Sequence, residues 1–250
     1  MKISVCTDML FEGVPTAEAM ERVKSAGADA VEFWETTGKD LPAIAAAIRS
    51  LGLPVAVFCA PATSMMAPDS PANYAEAIKG IVPACDTLGC RTLIACSGVP
   101  EWGWTPAEMH DRLRATVEAA LPVLEAHELT LLLEPLNASE LSYLRTSREA
   151  FDICRMFNSP RIKVLYDIYH MQFMEGNLIN TLGDHLRFIG HIHAADLPGR
   201  AAPGKGEINF PNIVSALTRQ GYSNYIGLEY IPSPDREAEL ALTLELLKRP

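Results

Sequence analysis

The sequence predicts a single (β/α)8 barrel domain spanning residues 1–250. Three features predict it: short apolar runs rich in β-formers, longer helix-patterned stretches between them, and an even spacing repeated eight times. The apolar runs fall at residues 3–6, 30–33, 55–59, 92–96, 130–134, 163–167, 188–193 and 225–229. Steps of roughly 25 to 40 residues leave room for one crossover helix each. The length of 250 residues suits eight such units in one core. A doubly wound open sheet shares the alternation but does not require eight even repeats.

The connecting stretches justify the helices. Apolar residues recur at three-to-four spacing over residues 17–26, 41–51, 74–88 and 112–126. Thr105 precedes Pro106, a capping hydroxyl before a proline in the first turn, and Thr146 or Ser147 offers a cap ahead of Glu149. The longest irregular pieces are 60–70, 97–104, 137–145 and 196–209. Each follows a strand, on the face where such barrels carry their chemistry.

Composition narrows the class of partner. The chain carries 31 acidic and 21 basic residues, a formal charge of −10, with no basic run. Such a chain repels a phosphate backbone, so nucleic acid is not an expected partner. The six cysteines include no CxxC pair and read as reduced thiols acting as small hydrophobes. No apolar run approaches the roughly 20 residues of a membrane span, and the opening MKISVCTDML enters a strand pattern at once. A soluble, cytoplasmic protein without a membrane partner is the expectation.

Four successive apolar strands end in a residue able to bind a metal: Glu134 in LLLEP, Asp167 in VLYDIYH, His193 in GHIHAAD and Glu229 in IGLEY. Singly, each has a plain alternative as a helix cap or a partner for a lysine. Together they would crowd three carboxylates and an imidazole at one barrel mouth, a repulsion that a divalent cation relieves. Three oxygen donors and one nitrogen suit one Mg, Mn or Co ion, and zinc also accepts histidine. A cation beside two glutamates points to enolisation: the ion polarises a carbonyl and its neighbouring hydroxyl while a carboxylate removes the proton between them. Glu134 and Glu229 sit on different strands, so one can take the proton and the other return it.

Other positions on the same face are weaker candidates. His191 lies two before His193 and shares its side of the strand. Glu32 closes the second strand beside Trp34, where a supporting or substrate contact is possible; Trp102 and Trp104 flank a glycine and could wall a sugar pocket. The segment GRAAPGKGE lacks the spacing of a phosphate loop and is read as a mobile lid.

Longer strings carry a family resemblance. EPLN at 134–137, YDIYHMQ at 166–172, MEG at 174–176, GHIHAADLPGR, PGKGEINF at 203–210 and GLEY together resemble the xylose isomerase-like barrels, and within them the hydroxypyruvate isomerase branch. The resemblance implies that Glu134, Asp167, His193 and Glu229 are metal ligands, with Glu134 and Glu229 also the acid/base pair. It further implies that His170 and Arg200 hold substrate oxygens, and that the substrate is hydroxypyruvate or a related oxo-acid sugar. Family habit implies a homodimer or homotetramer.

The chain also departs from that branch. CAPATSMMAPDSPANY follows the third strand where hydroxypyruvate isomerases usually have a glycine- and arginine-containing motif. His193 stands where they tend to have glutamine, and histidine there is similar to the ketose 3-epimerases. Glu140 completes the ExxNxxE spacing of those epimerases and is a candidate substrate contact. A ketose 3-epimerase using the same metal and glutamates is therefore the alternative. Endonuclease IV shares the barrel, but its phosphodiester chemistry needs a zinc cluster and a basic rim.

Overall fold

The computed structural model describes residues 1–100, 102–140 and 142–248. Glu101 and Leu141, inside two of the expected loops, lie outside the described residues, as do 249 and 250 at the end of the expected domain. Eight strands close in chain order: β1 (Lys2–Cys6), β2 (Ala30–Phe33), β3 (Val55–Cys59), β4 (Thr92–Cys96), β5 (Thr130–Glu134), β6 (Ile162–Asp167), β7 (Ile189–Ala194) and β8 (Tyr225–Leu228). All neighbours are parallel, and β8 returns to β1 with Ile3 opposite Ile226. The (β/α)8 expectation is met, with strand limits within one residue of those read from the sequence. Glu229 falls just beyond β8 rather than closing it.

Helices fill the intervals, and their starts are instructive. The helices expected from residues 74 and 112 begin earlier, as Ser70–Leu88 and Pro106–Ala126. A first helical turn is defined by its cap and need not bury a face, so apolar periodicity detects it late. Thr105 and Glu108 form a reciprocal capping box, as do Thr146 and Glu149 ahead of Ser147–Phe157.

Alternation along the strands splits side chains between two cores. Ile3, Val5, Val31, Phe33, Ile192, Ile226 and Leu228 face outward into the large apolar layer beneath the helices. Inside the barrel, Val57, Ile94, Leu132 and Leu165 of β3 to β6 form a separate small cluster. The opposite wall is polar: Ser4, Glu32, His191 and His193 are all buried, and Glu32 is contacted by the other three. Barrel interiors are ordinarily filled by branched apolar residues, so this polar half marks where the fold has been given over to a site.

The segment after β7, expected to be a free lid, is instead tied down. The buried Asp196 carboxylate accepts the backbone N–H groups of Leu197, Gly204, Gly206 and Ile208. A Cβ on Gly206 would lie 1.9 Å from the Leu197 carbonyl oxygen, so only glycine allows the loop to fold this tightly.

Candidate metal centre

At the C-terminal ends of β5 to β8 the side chains of Glu134, Asp167, His193 and Glu229 converge. One donor atom from each lies within 4.8 Å of every other, and all four residues are buried. Strand register explains the meeting: Asp167 pairs with His193 across β6 and β7, while Glu134 and Glu229 reach inward at the ends of β5 and β8. In a closed barrel these four neighbours point at one axis.

Each side chain is held through one atom and presents another. Asp167 Oδ1 accepts from the N–H groups of Tyr169 and His170, capping the helix Ile168–Met174, while its buried Oδ2 has no hydrogen-bond partner. Glu229 Oε1 accepts from the indole Nε1 of Trp34 at 2.6 Å, leaving Oε2 3.3 Å from His193 Nδ1. Cys96 Sγ donates to Glu134 Oε2 at 3.6 Å, and Glu134 Oε1 lies 3.6 Å from the same Nδ1. His193 Nε2 faces away, 3.0 Å from Glu32 Oε1. The inward atoms are thus three carboxylate oxygens and one imidazole nitrogen, and buried polar atoms such as Asp167 Oδ2 and His193 Nδ1 are costly without a partner. This is the donor set of a divalent cation, and the residues present fit one.

Charge within the cluster is strongly coupled. Burial opposes ionisation of Glu229, yet His193 and Arg200 hold its carboxyl well below the usual carboxylate range. Burial likewise opposes a charged His193, but the Glu229 and Glu32 carboxylates hold the imidazole well above its ordinary value. Burial beside Glu134 pushes the Cys96 thiol far up, so it stays a protonated donor.

The structure places the other expected residues unequally. Arg200, at the end of a tight turn after β7, donates to the Glu229 carboxylate and lies 3.5 Å from Asp167 Oδ2, with its guanidinium over the Tyr169 ring. His170 is buried: its Nδ1 accepts from the Asn137 N–H and its Nε2 is 3.5 Å from Asp167 Oδ2. That geometry props Asp167 as much as it offers a substrate contact. Glu140 is exposed, and no hydrogen bond or ion pair among the described residues joins its side chain to the cluster. Trp102 is fully exposed. The indole of Trp34 and the thiol of Cys96 were missed; the only sequence signal was their position at the ends of β2 and β4, on the same mouth.

These two residues also line a cavity of about 540 Å³ together with Cys59, Ala60, Tyr74 and Val99. Its size suits a small ligand, and it abuts the carboxylates through Trp34 and Cys96.

Fold and mouth together define a parallel (β/α)8 barrel with a buried cluster at its C-terminal face that fits a metal ion. The chain belongs to the xylose isomerase-like TIM barrel family, whose model matches residues 20–249. It is 27% identical to hydroxypyruvate isomerase of Escherichia coli K12, over 96% of this chain and 97% of that one. It is 28% identical to 2-oxo-tetronate isomerase of Pectobacterium atrosepticum, over 92% of each. A solved structure described as AP endonuclease, family 2, from Brucella melitensis superposes with a TM-score of 0.91 at 26% identity, covering 98% of both chains. No helix among the described residues is long and apolar enough to cross a membrane.

Proposed function

We propose that the protein is a metal-dependent isomerase that shifts a carbonyl along a small hydroxy-carbonyl compound through an enediolate, using Glu134 and Glu229 as its acid/base pair. The observation that carries this reading is the convergence of the four buried side chains on a common centre, with one donor atom of each within 4.8 Å of every other. When bound, a Mg, Mn, Co or zinc ion supplies polarisation of the substrate carbonyl and its neighbouring hydroxyl.

The remaining work falls to the chain. Glu229 is held ionised by His193 and Arg200, the state needed to remove a proton from carbon. Glu134 approaches from β5, on a different strand from Glu229 and with its donor oxygen within 4.8 Å of that of Glu229, and it returns the proton to the neighbouring carbon. The guanidinium of Arg200 is oriented by the Tyr169 ring and binds a substrate oxygen; His170 is assigned the same task beside Asp167. Cys59, Cys96 and Trp34 line the pocket beside the carboxylates.

Hydroxypyruvate and related oxo-acid sugars lead as substrates, in keeping with the names of the two isomerases above. A ketose 3-epimerase is the second reading, favoured by histidine at position 193 and by Glu140 at its ExxNxxE spacing. Abasic-site cleavage is remote for so acidic a chain. The same reading takes residues 1–250 as one domain of a cytoplasmic homodimer or homotetramer.

Turnover in deuterium oxide with Mn separates these readings. Isomerisation places solvent deuterium on the original carbonyl carbon, which becomes the hydroxyl-bearing carbon, and moves the carbonyl to its neighbour. Epimerisation leaves the carbonyl in place and inverts a deuterated carbon. Absence of both exchange and turnover on hydroxypyruvate, 2-oxo-tetronate and ketoses contradicts the proposal.

A further inference from the structure

Beneath the four inward donors lies a further buried carboxylate that the reaction does not use. Glu32 on β2 is 1% exposed, and no lysine or arginine among the described residues pairs with it. Its Oε2 accepts from Ser4 Oγ at 2.7 Å and faces His191 Nε2 at 2.9 Å. Its Oε1 lies at an ion-pair distance of 3.0 Å from His193 Nε2, and each of these two buried atoms is without an aligned hydrogen-bond partner among the described residues, so each is the other's nearest polar contact. Strand β8, between β1 and β7, makes room for it: a Cβ on Gly227 would come within 2.4 Å of Glu32 Oε1. Three strands distant in sequence are thus built around one carboxylate, an expensive arrangement unless it acts on something.

What it touches defines that action. A neutral imidazole carries one N–H, and which nitrogen bears it is set by the partner of the other. A carboxylate against Nε2 keeps the proton there and leaves Nδ1 a bare lone pair, and Nδ1 is the atom facing Glu134 and Glu229. We propose that Glu32 is a positioning residue for the metal: it fixes the tautomer and ring orientation of His193 and makes Nδ1 a stronger donor. Ser4 and His191 hold the carboxylate for that task from its other oxygen. The inference rests on the reading that a cation sits among the four inward donors.

Titration of purified wild-type protein with MnCl2 by calorimetry, beside Glu32→Gln, tests it. Wild type is expected to bind one ion per chain; a wild type that binds none overturns the underlying reading as well. Given wild-type binding, Glu32→Gln is expected to weaken Mn affinity 10- to 100-fold while circular dichroism shows a folded barrel. Affinity within about threefold of wild type overturns the proposal. So do two ions per chain, because Glu32, His191 and His193 would then be ligands themselves. Should Glu32→Gln fail to fold, zinc-loaded wild type labelled with 15N-histidine decides. A strongly deshielded, slowly exchanging proton on His193 Nε2 with Nδ1 coordinated supports the proposal, and coordination through Nε2 refutes it.

Discussion

Replacing Glu229 by Gln is expected to lower kcat by about 10³- to 10⁴-fold, roughly 4 to 5.5 kcal/mol of transition-state stabilisation. The amide keeps the shape of the side chain and can still accept from the Trp34 indole, but it cannot take a proton from carbon. It also loses the charge that faces His193 and Arg200. Saturating Mn should not restore the rate, which separates a lost base from a merely weakened metal site. Glu134→Gln is expected to fall as far, and the double variant to fall little further, because two groups acting on one proton are not additive. Steady-state kinetics at several Mn concentrations check this; either single variant within tenfold of wild type removes the acid/base assignment.

The second large effect is the coupling of metal to pH. In the metal-free protein the Glu229 and Glu32 carboxylates outweigh burial and raise the affinity of His193 for its proton. A cation requires the unprotonated nitrogen, so each ion bound expels that proton. Apparent Mn affinity should therefore rise about tenfold per pH unit below the raised value, wherever the carboxylates stay ionised, and level off once that value is passed. The stability linkage runs the other way. With its folded pKa raised, His193 stabilises the metal-free barrel fully below about pH 6.5, and that contribution fades as pH climbs through the raised value. Glu229 and Glu32 are depressed, Glu32 to about 2, by His193 and its neighbours acting against burial. Their contribution is present above the ordinary carboxylate range and is lost as pH falls through those depressed values. Chelation followed by Mn titration at several pH values, with melting curves of the metal-free form, measures both slopes. Affinity independent of pH contradicts the assignment of His193 as a ligand.

Much of this site was written in local sequence. Glu134 and Asp167 each close an apolar run, and a strand that ends in a carboxylate is visible without knowing its neighbours. Thr105 and Glu108 announce their helix start in four residues. What sequence could not show is which ends become neighbours when the barrel closes. Trp34 and Glu229 are 195 residues apart, and Glu32 and His191 are 159 apart, yet each pair is in hydrogen-bond contact. Closure of β8 on β1 creates those contacts, and no periodicity encodes them. The loop after β7 misled for a related reason: its glycines read as freedom, whereas they let four N–H groups fold onto Asp196. His170 was legible through its string; its place between the Asn137 N–H and Asp167 Oδ2 was not, because those contacts span separate strand ends. Glu140 matched a spacing, and in the fold it is exposed.

Anomalous diffraction from crystals grown with Mn bears most directly on the central idea that four strand ends share one cation. The expected result is a single strong peak per chain about 2.0 to 2.4 Å from Glu134, Asp167, Glu229 and the Nδ1 atom of His193. A peak elsewhere, or none at Mn concentrations that support turnover, would contradict it.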